Sequence, residues 1–185
     1  MSEADLLRAV VARAGREGWT SAALRHALED RGEAPELASS HFPRGVVGAI
    51  DDWFALVDSE MEAAAAAEDL AALRTPARIR RLTELRLRAL EPDREALRGA
   101  VSLLALPWNL SVGLRCAARS ASAIWYAAGD ESADFSWYTR RMTLMAVQGA
   151  VLAYWLRPNP PTMDEVLAFL DRRLADLPKP HPKAA

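Results

Sequence analysis

The sequence predicts an all-α protein of about nine helices. Alanine, leucine and arginine dominate the composition, and there is almost no alternation of Val, Ile and Thr with the period of two that marks a strand. Apolar residues recur at helical spacing instead, as where Leu6, Val10 and Ala14 share one face. Glycines and prolines divide the chain into segments of helical length.

Capping residues and helix breakers predict where each helix begins and ends. Thr20, Thr75, Asn109 and Thr162 stand at the starts of predicted helices and are typical N-cap residues, whereas Gly129 is suited to ending a helix. Either Ser132 or Asp134 can cap the eighth helix. The predicted helices span residues 3–16, 20–31, 35–40, 45–73, 75–90, 92–107, 109–129, 132–157 and 162–177.

Composition and charge exclude several functional classes. The formal net charge of −2 gives no basic field for nucleic acid, and the single Cys116 excludes an intramolecular disulfide. The N-terminus lacks the basic residues of a signal or transit peptide. The longest nearly apolar run, residues 142–156, is shorter than the ~20 residues that span a bilayer. We expect a cytoplasmic protein, at most peripherally associated with the inner membrane.

The sequence predicts no catalytic or metal centre and no cofactor. His26, His41 and His181 are scattered, and no metal-ligand motif, glycine-rich phosphate loop or nucleophile elbow occurs. The acidic stretch 51–62 is interpreted as a solvated helix face, and Cys116 as a small core residue. The arginines of the fifth helix are interpreted in the same way as a solvated face, with contact to anionic lipid headgroups as the alternative.

The first 45 residues resemble the three-helix head of TetR-type regulators. Gly18-Trp19, the Thr20 cap and His41-Phe42 occupy the positions of that pattern. The candidate recognition segment EAPELASS contains no Arg or Lys to reach a base or a phosphate. We therefore expect a degenerate head that does not bind DNA; a TetR-like ligand-responsive repressor remains the alternative function.

The C-terminal half resembles the ubiquinone-biosynthesis accessory protein family Coq-nine. The segments ALPWNLSVGL, IWYAAGDESADFSWYTRRMTLMAVQGAV and MDEVLAFLDRRLADL occur in the order and spacing of that family. The resemblance covers roughly residues 72–178. The residues that carry it are Pro107, Asn109, Trp125, Ala128, Gly129, Asp130, Ser132, Asp134, Phe135, Trp137, Tyr138, Thr139, Arg141, Phe169, Leu170 and Arg173.

This resemblance implies a TetR-like all-α homodimer that binds isoprenoid lipid rather than DNA and has no catalytic activity of its own. It would present quinone intermediates to the di-iron hydroxylase that modifies the quinone ring, with weak, peripheral contact to a membrane surface. Mitochondrial members carry a further C-terminal amphipathic helix that the chain lacks before Ala185. We therefore expect membrane contact through other surfaces.

Two sets of site residues follow. A lipid cavity needs apolar helix faces with small or adaptable side chains, and aromatic and arginine side chains favour a partner interface. The candidate lipid-binding residues are Leu103, Leu106, Leu114, Ala118, Ala121, Trp125, Met142, Met145 and Gly149. The candidate hydroxylase-binding residues are Trp108, Asn109, Asp130, Trp137, Tyr138 and Arg141.

Spacing within the eighth helix predicts which aromatic side chains face outward. Phe135, Tyr138 and Met142 lie at helical spacing and are interpreted as a core stripe, whereas Trp137 with Arg141 is expected on an exposed patch. The eighth helix is apolar on nearly all sides, which predicts a homodimer through the eighth and ninth helices. The expected organisation is a head over 1–45, a lipid-binding and dimerisation domain over 46–178 and a disordered tail over 179–185.

Overall fold

The computed structural model describes residues 2–130 and 135–177, and it divides the chain into two compact units, residues 1–132 and 133–185. Every regular element of the described residues is helical, in agreement with the predicted all-α class. Short 3₁₀ turns occupy Pro35–Leu37, Leu70–Ala72 and Glu91–Asp93. The α-helices are α1 (Glu3–Glu17), α2 (Ser21–Glu29), α3 (Ala38–His41), α4 (Gly45–Ala66), α5 (Thr75–Leu90), α6 (Arg94–Leu104), α7 (Leu110–Ala127), α8 (Phe135–Trp155) and α9 (Met163–Ala175).

Several predicted helix ends are confirmed. The side chains of Thr20 and Thr162 accept hydrogen bonds from the backbone N–H groups of Ala23 and Glu165, and Glu165 completes a capping box. Gly129 has a φ of 83° and ends α7. Because caps are local features, residues adjacent in the sequence suffice to predict them. The predicted caps of α8 and the predicted disordered tail lie outside the described residues.

One predicted boundary and two predicted side-chain caps differ from the structure. α4 ends at Ala66 rather than near Leu73, because the chain turns into the 3₁₀ segment Leu70–Ala72, where Arg78 binds the carbonyl oxygens of Ala71 and Leu73. Arg74, not Thr75, is the N-cap residue of α5. Asn109 precedes α7 but does not cap it through its side chain, because its Nδ2 donates to the carbonyl oxygen of Leu103 at 3.0 Å.

The helical head is tied to the rest of the first unit by an aromatic anchor. The indole Nε1 of Trp19 donates to the carbonyl oxygen of Ala96 on α6 at 2.8 Å, and its ring lies 5.6 Å from that of Trp53 on α4. Gly99 makes room for this ring, since a Cβ at that position would lie 3.1 Å from Trp19. The division predicted at residue 45 therefore falls inside a packed unit.

The second unit pairs α8 with α9. Tyr154 of α8 stacks on Phe169 of α9 with ring centroids 4.4 Å apart, and the Arg157 guanidinium lies 4.2 Å from the centre of the Tyr154 ring. Buried apolar side chains from both helices accompany this stack. They are Leu144, Val147, Val151, Trp155, Met163, Val166, Leu167 and Leu170.

Candidate functional site

The end of α7 is fixed by backbone geometry and by one arginine. Gly129 N–H donates to the Tyr126 carbonyl and Asp130 N–H donates to the Trp125 carbonyl, which together form a Schellman motif. Arg78 of α5 donates to the carbonyl oxygen of Ala128 at 3.2 Å. Gly129 and Asp130, the first part of the Gly-Asp motif, therefore have a structural explanation: they hold the last turn of α7.

The interpretation of the α5 arginines as a solvated face is wrong for Arg78, which binds backbone carbonyl oxygens. Its other nitrogens donate to the carbonyl oxygens of Leu73 and Ala71, so that it closes the turn between α4 and α5. Arg81 pairs with Glu68 at 2.6 Å on the same turn. These two arginines have internal partners, which leaves less charge for a lipid headgroup.

At the start of α8 the structure reverses the predicted orientation of the aromatic side chains. Tyr138 is 65% exposed and Met142 is 63% exposed, so their interpretation as a core stripe is wrong. Arg141 is buried and its guanidinium lies 3.9 Å from the centre of the half-buried Trp137 ring. The Trp137–Arg141 pair therefore faces inward, and Tyr138 is the aromatic residue that a partner can reach. The side chain of Phe135 lies outside the described residues.

The outer face of α8 carries a continuous stripe of apolar and small residues. Its members are spaced by four, four, three and four positions, which keeps them on one helix face, and all of them are exposed. A Cβ added at Gly149 meets nothing within 4 Å, so the middle of the stripe is open. We call this set the α8 stripe: Tyr138, Met142, Ala146, Gly149 and Ala153.

The predicted lipid-binding residues do not form one buried wall. In the first unit Ala121 is fully buried, the side chain of Leu114 is 55% exposed, and the others are half-buried: Leu103, Leu106, Ala118 and Trp125. In the second unit Met145 is half-buried, whereas Met142 and Gly149 belong to the exposed α8 stripe. Lipid contact by these residues stays a prediction.

The predicted hydroxylase-binding residues are also divided between the two units. Trp108 is exposed, Asn109 is half-buried and Asp130 is buried in the first unit, whereas Trp137, Tyr138 and Arg141 belong to the second. Whether the two groups act as one patch stays a prediction.

A buried ionic cluster in the first unit was missed by the sequence interpretation. Asp58 of α4 accepts hydrogen bonds from Arg86 Nε of α5 at 2.7 Å and from Ser120 Oγ of α7 at 2.9 Å. Asp51, two helical turns earlier on the same face of α4, accepts hydrogen bonds from Arg119 and Arg44 at 2.5 and 2.6 Å. The interpretation of both carboxylates as part of a solvated face is wrong, because they are 4% and 5% exposed.

The spacing along α4 contains a signal for this cluster. Asp51 and Asp58 stand at the same helical phase as the buried Phe54, Met61 and Ala65. Burial raises the pKa of the Asp51 carboxyl, but the hydrogen bonds from Arg119 and Arg44 outweigh it and hold the pKa below its ordinary value. The carboxylate is therefore charged in the folded protein.

Cys116 lies beside the same carboxylate. It is buried, as predicted, and its Sγ–H donates to Asp51 Oδ1 at 3.3 Å. Burial and the hydrogen bond to the Asp51 carboxylate raise the pKa of the thiol to about 11. The thiol is therefore protonated near neutral pH and is a poor nucleophile.

A surface cleft of about 480 Å³ opens between the end of α4 and the end of α7. Three acids, Glu62, Glu68 and Asp69, line it together with Tyr126, and no predicted lipid-binding residue does. Among the described residues no group of histidines, cysteines and acids is arranged to hold a metal ion. No helix in the described ranges combines the length and apolar character needed to cross a bilayer.

The helix order and the two units define a TetR-like all-α protein. The structure superposes on that of a TetR transcriptional regulator from Nitrosomonas europaea with a TM-score of 0.74, covering 94% of this chain and 95% of the other at 19% sequence identity. This comparison establishes the fold.

Sequence comparison identifies the C-terminal part more closely. Residues 110–180 match the family model described as COQ9. The chain is 35% identical over 98 residues to "Ubiquinone biosynthesis protein COQ9, mitochondrial" of Homo sapiens and equally so to that of Rattus norvegicus, covering 53% of this chain and 31% of each relative. Residues 110–180 are therefore similar to the COQ9 family, the Coq-nine family that the motifs indicated. The alignment spans about a third of the length of these curated relatives.

Proposed function

We propose that this protein is a non-catalytic lipid-binding accessory protein of ubiquinone biosynthesis. In this role it binds isoprenoid quinone intermediates and presents them to the di-iron hydroxylase that modifies the quinone ring, at the surface of a membrane. The observation that carries the proposal is the α8 stripe, which lies inside the matched segment 110–180. The chain is similar to proteins named for ubiquinone biosynthesis, and this similarity is the reason for proposing that pathway.

The α8 stripe suits an isoprenoid chain for a physical reason. A long unbranched thioether such as Met142 adapts to irregular apolar ligands, and Gly149 leaves an open space in the middle of the stripe. Covering an exposed apolar surface with the isoprenoid chain removes both from water, which favours association by about 25 cal/mol per Å². The ligand is thus proposed to lie along α8, with Met145 at its edge.

The same face also suits a second copy of the chain. Ala146, Gly149 and Ala153 are small enough for two helices to approach closely, and we propose a homodimer through α8 and α9 on this ground. Lipid and partner helix then share the α8 stripe: the isoprenoid chain lies along it from Tyr138 and Met142 to the open space at Gly149, and the second copy covers the chain. Tyr138, as the exposed aromatic residue of the α8 stripe, is the proposed anchor for the hydroxylase.

A binding titration with a fluorescent short-chain quinone analogue tests the lipid proposal. Gly149→Trp fills the open part of the stripe and is expected to abolish binding at micromolar concentration while the helix stays folded. The matched control is Ala12→Trp, which adds the same bulk at an exposed position of α1. If the wild-type chain fails to bind, or if both variants bind equally well, the proposal is wrong.

The repressor alternative rests on the similarity of the fold to a TetR regulator. Its weakness is the charge of the head, where Glu29, Asp30, Glu33 and Glu36 surround the segment expected to enter a groove. A gel shift with the promoter region of its own gene tests it directly. Tight binding that persists at physiological salt would favour the repressor over the accessory protein.

A further inference from the structure

The corner between α6 and α7 presents large apolar side chains to solvent. Trp108 is 74% exposed, Leu110 is 48% exposed and Leu114 is 55% exposed. Leu110 and Leu114 are one helical turn apart, and Trp108 directly precedes them in the turn. A single exposed leucine needs no explanation, but three large apolar side chains within seven positions form a contiguous patch. We call residues 102–115 the α6–α7 corner.

The backbone of this corner is held in place by several contacts. Asn109 N–H donates to the carbonyl oxygen of Leu106 at 2.9 Å, and Asn109 Nδ2 donates to that of Leu103 at 3.0 Å. A Cβ added at Gly113 would lie 3.2 Å from the carbonyl oxygen of Leu104, so α7 passes close to the end of α6. Trp108 is therefore presented by a structured turn, so that little backbone ordering entropy is lost when a partner is bound.

The charges around the corner have a positive excess. No Asp or Glu occurs between residues 96 and 129, and Arg115 and Arg119 share the buried Asp51 of α4 with Arg44, which also pairs with Asp52, so that three guanidinium groups meet two carboxylates there. Elsewhere in the chain acids are frequent, 25 in 185 residues. The side chain of Arg115, next to Leu114 on α7, is 59% exposed. The partner that complements this surface is apolar and carries negative charge.

We propose that the α6–α7 corner docks on an anionic phospholipid surface. Trp108 lies at the boundary between headgroups and acyl chains, where the indole buries its ring and keeps its N–H near water. Leu110 and Leu114 lie against the acyl chains, and Arg115 extends its guanidinium to a phosphate. The inference rests on the proposed function in one respect: an isoprenoid quinone is itself dissolved in a bilayer, so docking brings the protein to the source of its proposed ligand.

Vesicle flotation with the full chain tests the docking surface. The vesicles contain phosphatidylcholine, with or without phosphatidylserine, and no quinone. We expect binding to the anionic vesicles, a loss of roughly tenfold in partition coefficient for Trp108→Ala and of about threefold for Leu114→Ala. Tyr126→Ala is the matched control, since it removes a 60% exposed aromatic ring from the other end of α7. Equal flotation of the wild type and the Trp108 and Leu114 variants overturns the proposal.

Fluorescence quenching gives a second readout that does not depend on affinity. Brominated phospholipids quench an inserted indole, so part of the emission of the wild-type chain is expected to fall on binding. Trp108→Phe keeps most of the apolar surface and should still float while losing that quenched part. Quenching that is unchanged in Trp108→Phe shows that another tryptophan enters the bilayer and overturns the assignment.

Two further outcomes separate this inference from its alternatives. If Trp108→Ala changes the oligomeric state in light scattering and the wild type does not float, the corner is an interface between copies and the membrane proposal is wrong. Since the vesicles lack quinone, flotation can succeed when the quinone titration fails. Docking and lipid presentation are thus tested independently.

Discussion

A buried cluster of charged side chains lies between α4, α5 and α7, whereas the outer surfaces of α8 and of the α6–α7 corner expose apolar side chains. Between α4, α5 and α7 lie carboxylates, guanidinium groups and a hydroxyl, of which Asp58 and Arg86 are 4% and 7% exposed. On the α8 stripe and the α6–α7 corner, Met142, Tyr138 and Trp108 are each more than 60% exposed. The proposed apolar ligand would therefore find exposed apolar surface on α8 and on the α6–α7 corner, and a charged cluster between α4, α5 and α7.

The largest effect is expected from opening the buried cluster. Asp58→Asn removes the charge that Arg86 faces and leaves an uncompensated guanidinium, which costs about 3–5 kcal/mol of unfolding free energy. Chemical denaturation measures the loss. The triple change Asp58→Leu, Arg86→Met and Ser120→Ala removes the three hydrogen-bonded groups together, while Arg119 keeps its ion pair with Asp51, and is expected to be nearly neutral. A small effect of Asp58→Asn alone would show that water reaches the cluster.

A smaller effect, on affinity rather than folding, is expected at the outer surface of α8. Tyr138→Ala should leave the melting temperature nearly unchanged, because the side chain is 65% exposed. It should weaken hydroxylase binding by about 2 kcal/mol if Tyr138 is an anchor. Isothermal titration with the purified hydroxylase measures this loss. Trp137→Ala is the contrasting variant, since it removes the ring against Arg141 and should lower the melting temperature.

Sequence reasoning predicted the features of this molecule that depend on near neighbours. Thr20, Thr162 and Gly129 act within a few residues of themselves, and all three were correct. The ionic cluster was missed because its pairs, apart from Arg44 with Asp51, join positions 28 to 68 residues apart, and a single sequence shows no such pairing. Only the phase of Asp51 and Asp58 on α4 gave a hint.

The orientation of α8 could not be predicted for a different reason. Both of its faces are apolar in sequence, so periodicity alone does not distinguish Tyr138 from Trp137 as the outer residue. The burial of Arg141 decides the phase, and a charged residue is the last that pattern reasoning would place inside. The COQ9 motif thus identified the segment while its inner and outer residues were assigned the wrong way round.

The pH dependence of stability tests whether the buried Asp51 carboxylate is charged in the folded protein. The folded-state pKa of Asp51 lies below its ordinary value of 3.8, so its contribution is fully present above that value and is lost as the pH falls through the folded pKa. Thermal melts from about pH 6 to about pH 2 should show stability falling in acid. Asp51→Asn should start from a lower stability and fall less steeply. Parallel curves for the two chains would contradict a charged interior.

The smallest effect is expected at Cys116, whose thiol reports on access to the interior. With its pKa raised to about 11 and its side chain buried, it should not react with a disulfide reagent in the folded protein at neutral pH. One equivalent should react after unfolding in urea. Rapid, stoichiometric reaction under native conditions would mean that the layer opens readily.

Native mass spectrometry of the purified protein tests the central claim most directly, because one spectrum shows both ligand and oligomer. We expect a species of two 20.3 kDa chains with bound mass that lipid extraction identifies as isoprenoid quinone. Gly149→Trp should remove the bound mass. A bare 20.3 kDa chain, with no lipid in the extract, would contradict the claim that the exposed α8 stripe is covered by an apolar ligand and a second copy.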